Sequence, residues 1–481
     1  MSDEQDWSAI EVFADNLQAA GDPRGELLAL EMAAERATSS EEARRLNRAA
    51  QRIRDAHHEL VWPAAVAPTH VYMRAGFVVS ANHDEILEHS LPLELLLSLR
   101  DFSVSQPLER CVPLLEEGWR RGLRLEGLGH WARYDDPPAQ LGSLRRLIEY
   151  DAQAPALEWM SFSGPVCELA VLSGLAKLRS CSFRTPLPEA ELRSLAPLRL
   201  EQLTLEDHAV PTSLGALFGD TLTQLRLCNC EGSLASLSKF SRLDELTLEG
   251  ELTTDAVAHL QGLTQLEALT LPRLRDEDLT VLARLNLRSL RIGEMSAALV
   301  RRLPLLQTLE SLTIHRAEGC LDVSALAELP HLRQLSVPGA LFGELKLPPS
   351  FEWLGLMRPI GAVPITGEVT ELSVIDGELS EIPTRMLESV RELRIVWFDD
   401  LQETALAELP RLTPQLERLS LSSYGDEWAW PEAPQVLGAL PQLRAFEVDG
   451  GTVRELSERA RMFPDLCVLA DEWPLSAGRR A

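Results

Sequence analysis

The sequence predicts an α/β fold: a solenoid of tandem short repeats with a parallel β-sheet on its concave face and short helices on its convex face, behind a small N-terminal α-helical module. Three observations predict it. A six-residue apolar phrase recurs from residue 157 onward, in copies such as "LEQLTL" at 200, "LTQLRL" at 222, "LDELTL" at 243, "LEALTL" at 266 and "LRSLRI" at 287. The copies lie about 22 residues apart on average, a period that marks stacked repeats rather than one globular core. The first sixty or so residues lack the phrase and carry helical periodicity instead.

In each phrase the fourth and sixth residues face one side of a short strand, and the third and fifth face the other. A single strand of this kind cannot bury its apolar side, but stacked copies share one continuous core. Upstream of many copies runs a second leucine pair three residues apart: Leu260 and Leu263, Leu303 and Leu306, Leu326 and Leu329, Leu437 and Leu440. That step suits a short α- or 3-10-helical return on the outer face. Irregular copies stand at "LRDFSV" (99), "GLRLEGL" (122) and "LRRLIEY" (144), and a weak last one at "LCVLAD" (466).

Phrase and period together resemble the leucine-rich repeat family over roughly residues 99–470. One feature departs from the family's pattern. The Asn usual three residues after the LxL is replaced by His208, Cys230, Glu251, Met295, Ala317 and Ala340. Without that buried ladder the turn after each strand has to satisfy its backbone groups in another way, so a less regular curve is expected.

The outward positions say how neighbours line up. At the second position of the phrase acid alternates with base, as in Glu267, Arg288, Glu310, Arg333 and Glu352, an order that in-register parallel strands turn into a ladder of ion pairs. The fifth position is mostly hydroxyl (Thr204, Thr247, Thr270, Thr313, Ser336), with Arg226, Arg291 and Arg394 standing out of it.

The character changes toward the C-terminus. Outward third and seventh positions there carry Trp353, Met357, Ile375 and Val396, followed by Trp397, and the insertion "SYGDEWAWPEAP" adds Tyr424, Trp428 and Trp430. Trp and Tyr concentrate at binding hot spots, and insertions in solenoids often sit on the binding face. With Arg394 these residues form the candidate partner-binding set. The other reading of the same aromatics is a C-terminal cap folded over the last repeats, and the sequence leaves both open.

Composition bounds the partners. The 481 residues carry a net charge of −27, spread along the chain, which opposes phosphate backbones and anionic lipid. The expected partner is a protein, with no nucleic acid, membrane, cofactor or metal, and the chain is expected to be a monomer. No apolar run is long enough to span a bilayer and no signal peptide is evident, so a cytoplasmic location is expected. The seven cysteines are scattered without a CxxC; Cys228 and Cys230, two apart on a strand, are expected to point the same way as reduced thiols. No phosphate-binding, nucleophile-elbow or zinc motif occurs. The acidic pairs in "YDDPP" (134–138) and "FDD" (398–400) sit in turn settings, where Asp is favoured for local hydrogen bonds. The function expected is therefore a non-enzymatic interaction scaffold or sensor. Its alternatives are a self-associating structural component and an effector or enzyme using an unrecognised acidic site.

The N-terminal module reads as three helices. Trp7, Ile10, Phe13, Ala14 and Leu17 share one face; Leu27, Leu30, Glu31 and Ala34 another; Leu46, Ala50, Ile53 and Leu60 a third. Between the first two stands "AGDPRGELLAL", residues 20–30. Gly21 suits a C-terminal cap, Asp22 an N-cap, Pro23 the first helical position and Glu26 the first turn. Arg24 is left without a role. "FADNLQAAGDPRGELLALEMA" resembles the repeat-companion domain, a short module of large-genome bacteria such as myxobacteria and planctomycetes. The match runs through Phe13, Ala14, Asp15 and Leu17 and through Gly21 to Glu26, with Asn16 in place of the usual aromatic; "RAGFV" (74–78) is similar to that family's lead-in. The resemblance implies attachment to repeats, a bacterial source and no activity of its own. The expected segments are 1–62 helical module, 63–98 lead-in, 99–451 solenoid and 452–481 C-terminal cap.

Overall fold

The computed structural model describes residues 7–470 apart from short stretches, among them 64–71, 87–100, 131–138, 251–255, 359–363, 398–405, 424–432 and 449–461. "YDDPP", "FDD" and Glu251 therefore lie outside the described residues. The chain divides into two compact units: Leu99–Glu368 with Asn82–Asp84, and Val369–Ala481 with Met1–Ala81 and Glu85–Ser98.

In the larger unit parallel strands succeed one another in chain order, from Asp101–Val104 and Gly127–His130 to Gln334–Pro338 and Trp353–Met357. Pairing from Gln202–Glu206 onward is unshifted, so Leu203, Leu225, Leu246, Leu269, Leu290, Leu312, Leu335 and Leu354 stand in one column. Every one of them is buried. Burying one leucine stabilises by about 1.5–3 kcal/mol, and each repeat supplies several. Returns between strands are short 3-10 helices, such as Val257–Gly262, Ala297–Leu305 and Val323–Glu328, or short α-helices, such as Glu189–Ser194, Leu214–Phe218 and Asp278–Leu282. They close where the paired leucines predict: the amides of Leu263, Leu306 and Leu329 donate to the carbonyls of Leu260, Leu303 and Leu326 at 2.9, 2.8 and 3.1 Å. The architecture is an α/β leucine-rich-repeat solenoid.

The missing Asn ladder is replaced by two devices. In the first, the residue directly after the strand turns left-handed: Asp207, Asn229, Gly250, Gly339 and Arg358 have φ of 58°, 51°, 90°, 60° and 47°. Gly enters this region freely, and Asp and Asn more readily than most. The amide turned outward is satisfied one repeat on, Asp207 donating to the Cys228 carbonyl and Asn229 to that of Glu249, both at 2.9 Å. The next side chain then turns back into the structure. His208 is buried, its Nε2 accepting the Leu187 amide at 2.9 Å and its Nδ1 bonding the Glu206 carbonyl at 2.6 Å. The Cys230 thiol donates to the Leu205 carbonyl at 3.3 Å.

In the second device the strand simply continues. Ala268–Leu274, Ser289–Ser296 and Ser311–Glu318 keep pairing past the phrase, placing Leu274, Met295 and Ala317 in register, with Leu274 and Met295 buried. Met295 and Ala317 occupy the Asn slot because no turn needs a polar side chain there. The left-handed Asn229 also separates the two cysteines. Cys228 bonds Glu249 on the open face of the sheet, whereas Cys230 reaches back to the preceding repeat, so they do not share a direction as expected from a regular strand.

In the smaller unit α1 (Trp7–Ala19), α2 (Pro23–Arg36) and α3 (Ser40–Ala56) form the helical module. Ala14, Leu27, Leu28, Met32, Ala50 and Val61 make its core, with Leu30 and Ile53 against it; Leu60 lies on the exposed side instead. The corner between α1 and α2 is built as its residues dictate. Gly21 has φ 75°, its amide donates to Gln18 at 2.9 Å and the Asp22 amide to Leu17 at 2.9 Å, a paired closure of α1. Asp22 then caps α2 by accepting the Arg24 amide at 2.9 Å. A Cβ on Gly25 would stand 2.7 Å from the Ala14 carbonyl oxygen, so glycine is what lets the two helices touch. Arg24 is not idle: its Nε meets both Asp22 oxygens at 3.1 Å and its Nη2 one of them at 2.6 Å, which holds the Asp22 carboxyl below its usual pKa.

An antiparallel hairpin, β1 (Tyr72–Arg74) with β2 (Phe77–Asn82), covers the "RAGFV" lead-in. The same unit holds parallel strands at Glu371–Ile375, Glu392–Trp397, Arg418–Ser423, Ala445–Val448 and Cys467–Ala470. Helix α3 is fastened to the repeat at 437–444. Arg44 donates to the carbonyls of Leu443 (2.9 Å) and Leu440 (2.6 Å), Asn47 to that of Arg444 (3.3 Å), and Arg444 returns a bond to the Ala37 carbonyl (2.8 Å). The N-terminal helical module is thus tied, within its own unit, to one of the last repeats.

His208 gives the fold a pH dependence of known sign. Burial holds its pKa below the usual value, and its Nε2 works only as an acceptor, so the neutral ring is the folded form. The unfolded chain binds the proton first as pH falls below about 6.5, and stability is lost from there down through the folded pKa. Urea midpoints of wild type should drop between pH 7 and pH 5, and His208→Asn should show a shallower drop.

Candidate functional site

Two rows of side chains cover the open face of the sheet in the larger unit. The fifth-position row runs Thr204, Arg226, Thr247, Thr270, Arg291, Thr313, Ser336 and Gly355 in direct register. Beside the sheet, the second-position residues form the expected charge ladder. Arg288 stands 3.7 Å from Glu267 and 3.6 Å from Glu310, and Arg333 3.3 Å from Glu352. In the smaller unit Glu417 takes Arg391 at 3.2 Å and Arg444 at 2.6 Å. Mostly exposed pairs of this kind contribute about 0–1 kcal/mol each, so their chief effect is to penalise a slipped register.

Arg226 is absorbed into a polar triangle. Its Nη2 donates to Glu249 at 2.8 Å and its Nε to the Cys228 sulfur at 3.2 Å, while the thiol lies 3.3 Å from the other Glu249 oxygen. Burial pushes the Cys228 thiol up to about 11, so at neutral pH it is a protonated donor rather than a nucleophile. Among the described residues no group of three His, Cys, Asp or Glu is placed to hold a metal ion, and no helix is long and apolar enough to cross a membrane.

Of the candidate partner-binding residues, Trp353 and Met357 share the strand Trp353–Met357 and both are half-buried. Gly355 lies between them, and a Cβ there would come within 2.6 Å of the Trp353 ring and 2.8 Å of the Ser336 hydroxyl. The indole thus reaches along its own strand over Gly355, and the residue is half-buried. Trp159 does the same across a neighbouring strand, over Gly127, where a Cβ would overlap the ring. Glycine at an outward strand position beside a Trp is a signal present in the sequence that periodicity alone passes over.

In the smaller unit Ile375 and Val396 are register partners, and Arg394 stands exposed between Ser373 and Ser420. Val396 is only 7 % exposed, so it offers little contact area and acts mainly as packing. Trp397 ends its strand, and nothing is described of its side chain; Tyr424, Trp428 and Trp430 lie outside the described residues.

No family model and no curated protein matches the chain. Among solved structures it is similar to an internalin from Listeria monocytogenes, at 14 % identity over 76 % of this chain and 95 % of that one, with a TM-score of 0.31. It is also similar to a leucine-rich repeat protein from Leptospira interrogans, at 14 % identity over 81 % and 99 % with a TM-score of 0.31. A chain of the yeast Rad7 and Elc1 complex matches at 13 % identity over 90 % and 97 %, with a TM-score of 0.32. The fold assignment rests on this chain's own strand register and leucine columns.

Burial separates surface from packing within the candidate set. Arg394→Ala should shift stability by less than about 0.5 kcal/mol, whereas Val396→Asp should cost about 2 kcal/mol or more, because it buries a carboxylate beside Ile375. Urea unfolding of both variants measures the difference.

Proposed function

We propose that the chain is a non-enzymatic protein-interaction scaffold or sensor, cytoplasmic and monomeric, that receives a protein partner on the open face of its sheet. The observation that carries this reading is the half-buried Trp353 indole over Gly355, on one strand with Met357, set in strands whose outward side chains are uncharged. A rigid aromatic surface next to hydroxyl and amide groups gives a partner apolar contact area and adaptable hydrogen bonds at little ordering cost. In this reading Met357, Ile375, Arg394, Val396, Trp397, Tyr424, Trp428 and Trp430 belong to the same binding set. Residues 1–62 serve as a companion module of bacterial type, 63–98 as its lead-in, 99–451 as the solenoid and 452–481 as its cap.

Affinity capture from the native host's lysate tests this, with wild type beside a variant in which Trp353, Trp397, Trp428 and Trp430 are all Ala. Specific proteins should be retained by wild type and lost by the folded variant. The same proteins on both would contradict the assignment of the site. Light scattering across a concentration series should return the monomer mass; a mass that grows with concentration favours self-assembly instead.

A further inference from the structure

Arg291 projects from the strand Ser289–Ser296, flanked in register by Thr270 and Thr313. Other arginines along this face hold a carboxylate: Arg184 has Glu206 at 3.7 Å, Arg226 has Glu249 at 2.8 Å and Arg273 has Glu318 at 2.9 Å. Arg291 is half-buried and makes no hydrogen bond and no ion pair within 4.0 Å with the described residues; the carboxylate that attracts it, Glu245, stands two strands away. Withdrawing a guanidinium from water without a hydrogen-bonded partner is unfavourable, and a ligand that supplies the hydrogen bonds recovers that cost.

The surroundings say which way such a ligand runs. On the N-terminal side, two strands away, Glu245, which attracts Arg291 at longer range, and Glu249, already held by Arg226, present carboxylates that disfavour a second anion there. On the C-terminal side the next three strands carry only uncharged residues at their third and fifth positions: Ser311, Thr313, Gln334, Ser336, Trp353 and Gly355. His315, close to Arg291, has its pKa lowered by burial and by Arg291 and is a neutral hydrogen-bonding group at pH 7. Three strand steps of about 4.8 Å separate Arg291 from Trp353, roughly 14 Å, which an extended chain rising about 3.3 Å per residue covers in four or five residues.

We infer that this stretch of sheet binds an extended peptide that lays a carboxylate on Arg291 and an apolar or aromatic side chain on Trp353. The charge of Arg291 selects the acid, the Thr270 and Thr313 hydroxyls flank it, and the Trp353 indole anchors the other end. Main-chain groups of the peptide between the two lie over Ser311, Gln334 and Ser336. The inference deepens the protein-binding reading of this face and rests on it.

The full-length chain is tested on two arrays of the same octapeptides. One contains Asp and Glu and ends in a free carboxylate; the other has Asn and Gln in their place and an amidated end. Binding should be confined to the acidic array, with an apolar residue four or five positions from the preferred acid. Arg291→Gln should weaken the best peptide at least tenfold without changing the melting temperature, Arg291→Lys should retain part of the affinity, and Trp353→Ala should weaken it as well. Equal binding to both arrays, binding to neither, or an Arg291→Gln chain that binds like wild type overturns the inference. If lysate proteins are still captured through the Trp residues in any of those cases, the protein-binding reading stands and only the carboxylate partner falls.

Discussion

Everything in this fold depends on leucine stacking on leucine one repeat along. A strand of five residues buries nothing by itself, and its apolar side chains become core only when the next strand presents the same residues at the same height. The unshifted column from Leu203 to Leu354 is that condition met. Because strand faces alternate with period two, a slip of one residue would move the whole column into water. The charge ladder at the second position adds a smaller penalty against slipping by setting like charges side by side.

Once the inward face is fixed this way, the outward face is free to vary. The strand exits are where the chain chooses how. Left-handed residues after Gln202–Glu206, Gln224–Cys228 and Glu245–Glu249 end the strand at once, and the following side chain, His208 or Cys230, bonds back into the structure. The next three strands run on instead, widening the sheet where Arg291 and His315 stand. The broadest part of the open face is thus also the part that carries an arginine with no carboxylate in hydrogen-bond contact, followed by uncharged strands and Trp353.

Much of this was legible in the sequence because it is periodic. The regular phrase positions, the paired leucines of the returns and the acid–base alternation give contacts that repeat, and the register then follows; the irregular copy expected at 144 is instead the helix Arg145–Asp151. The helical corner at "AGDPRGELLAL" was legible for a different reason: Gly21, Asp22 and Pro23 each have one conformational use there. What periodicity could not give is contact across distant sequence. Nothing local tells that Arg44 reaches the carbonyls of Leu440 and Leu443. The direction of Cys230 was likewise hidden, since it follows from the handedness of a single residue, Asn229. Of the candidate site, Trp353 and Arg394 were rightly read as outward, whereas Val396 occupies an outward position and is covered all the same.

The account is tested most directly by a substitution scan of residues 200–357, displaying the full-length chain and reading protease resistance after every single replacement by Asp. The leucine columns predict tolerance that alternates with period two along each strand, lost at Leu203, Leu205, Leu225 and Leu227 and kept at Gln202, Thr204 and Gln224. The same pattern should reappear in each following repeat. Equal tolerance on both faces, or tolerance with a helical period of 3.6, would contradict the stacked-strand solenoid and everything placed on its open face.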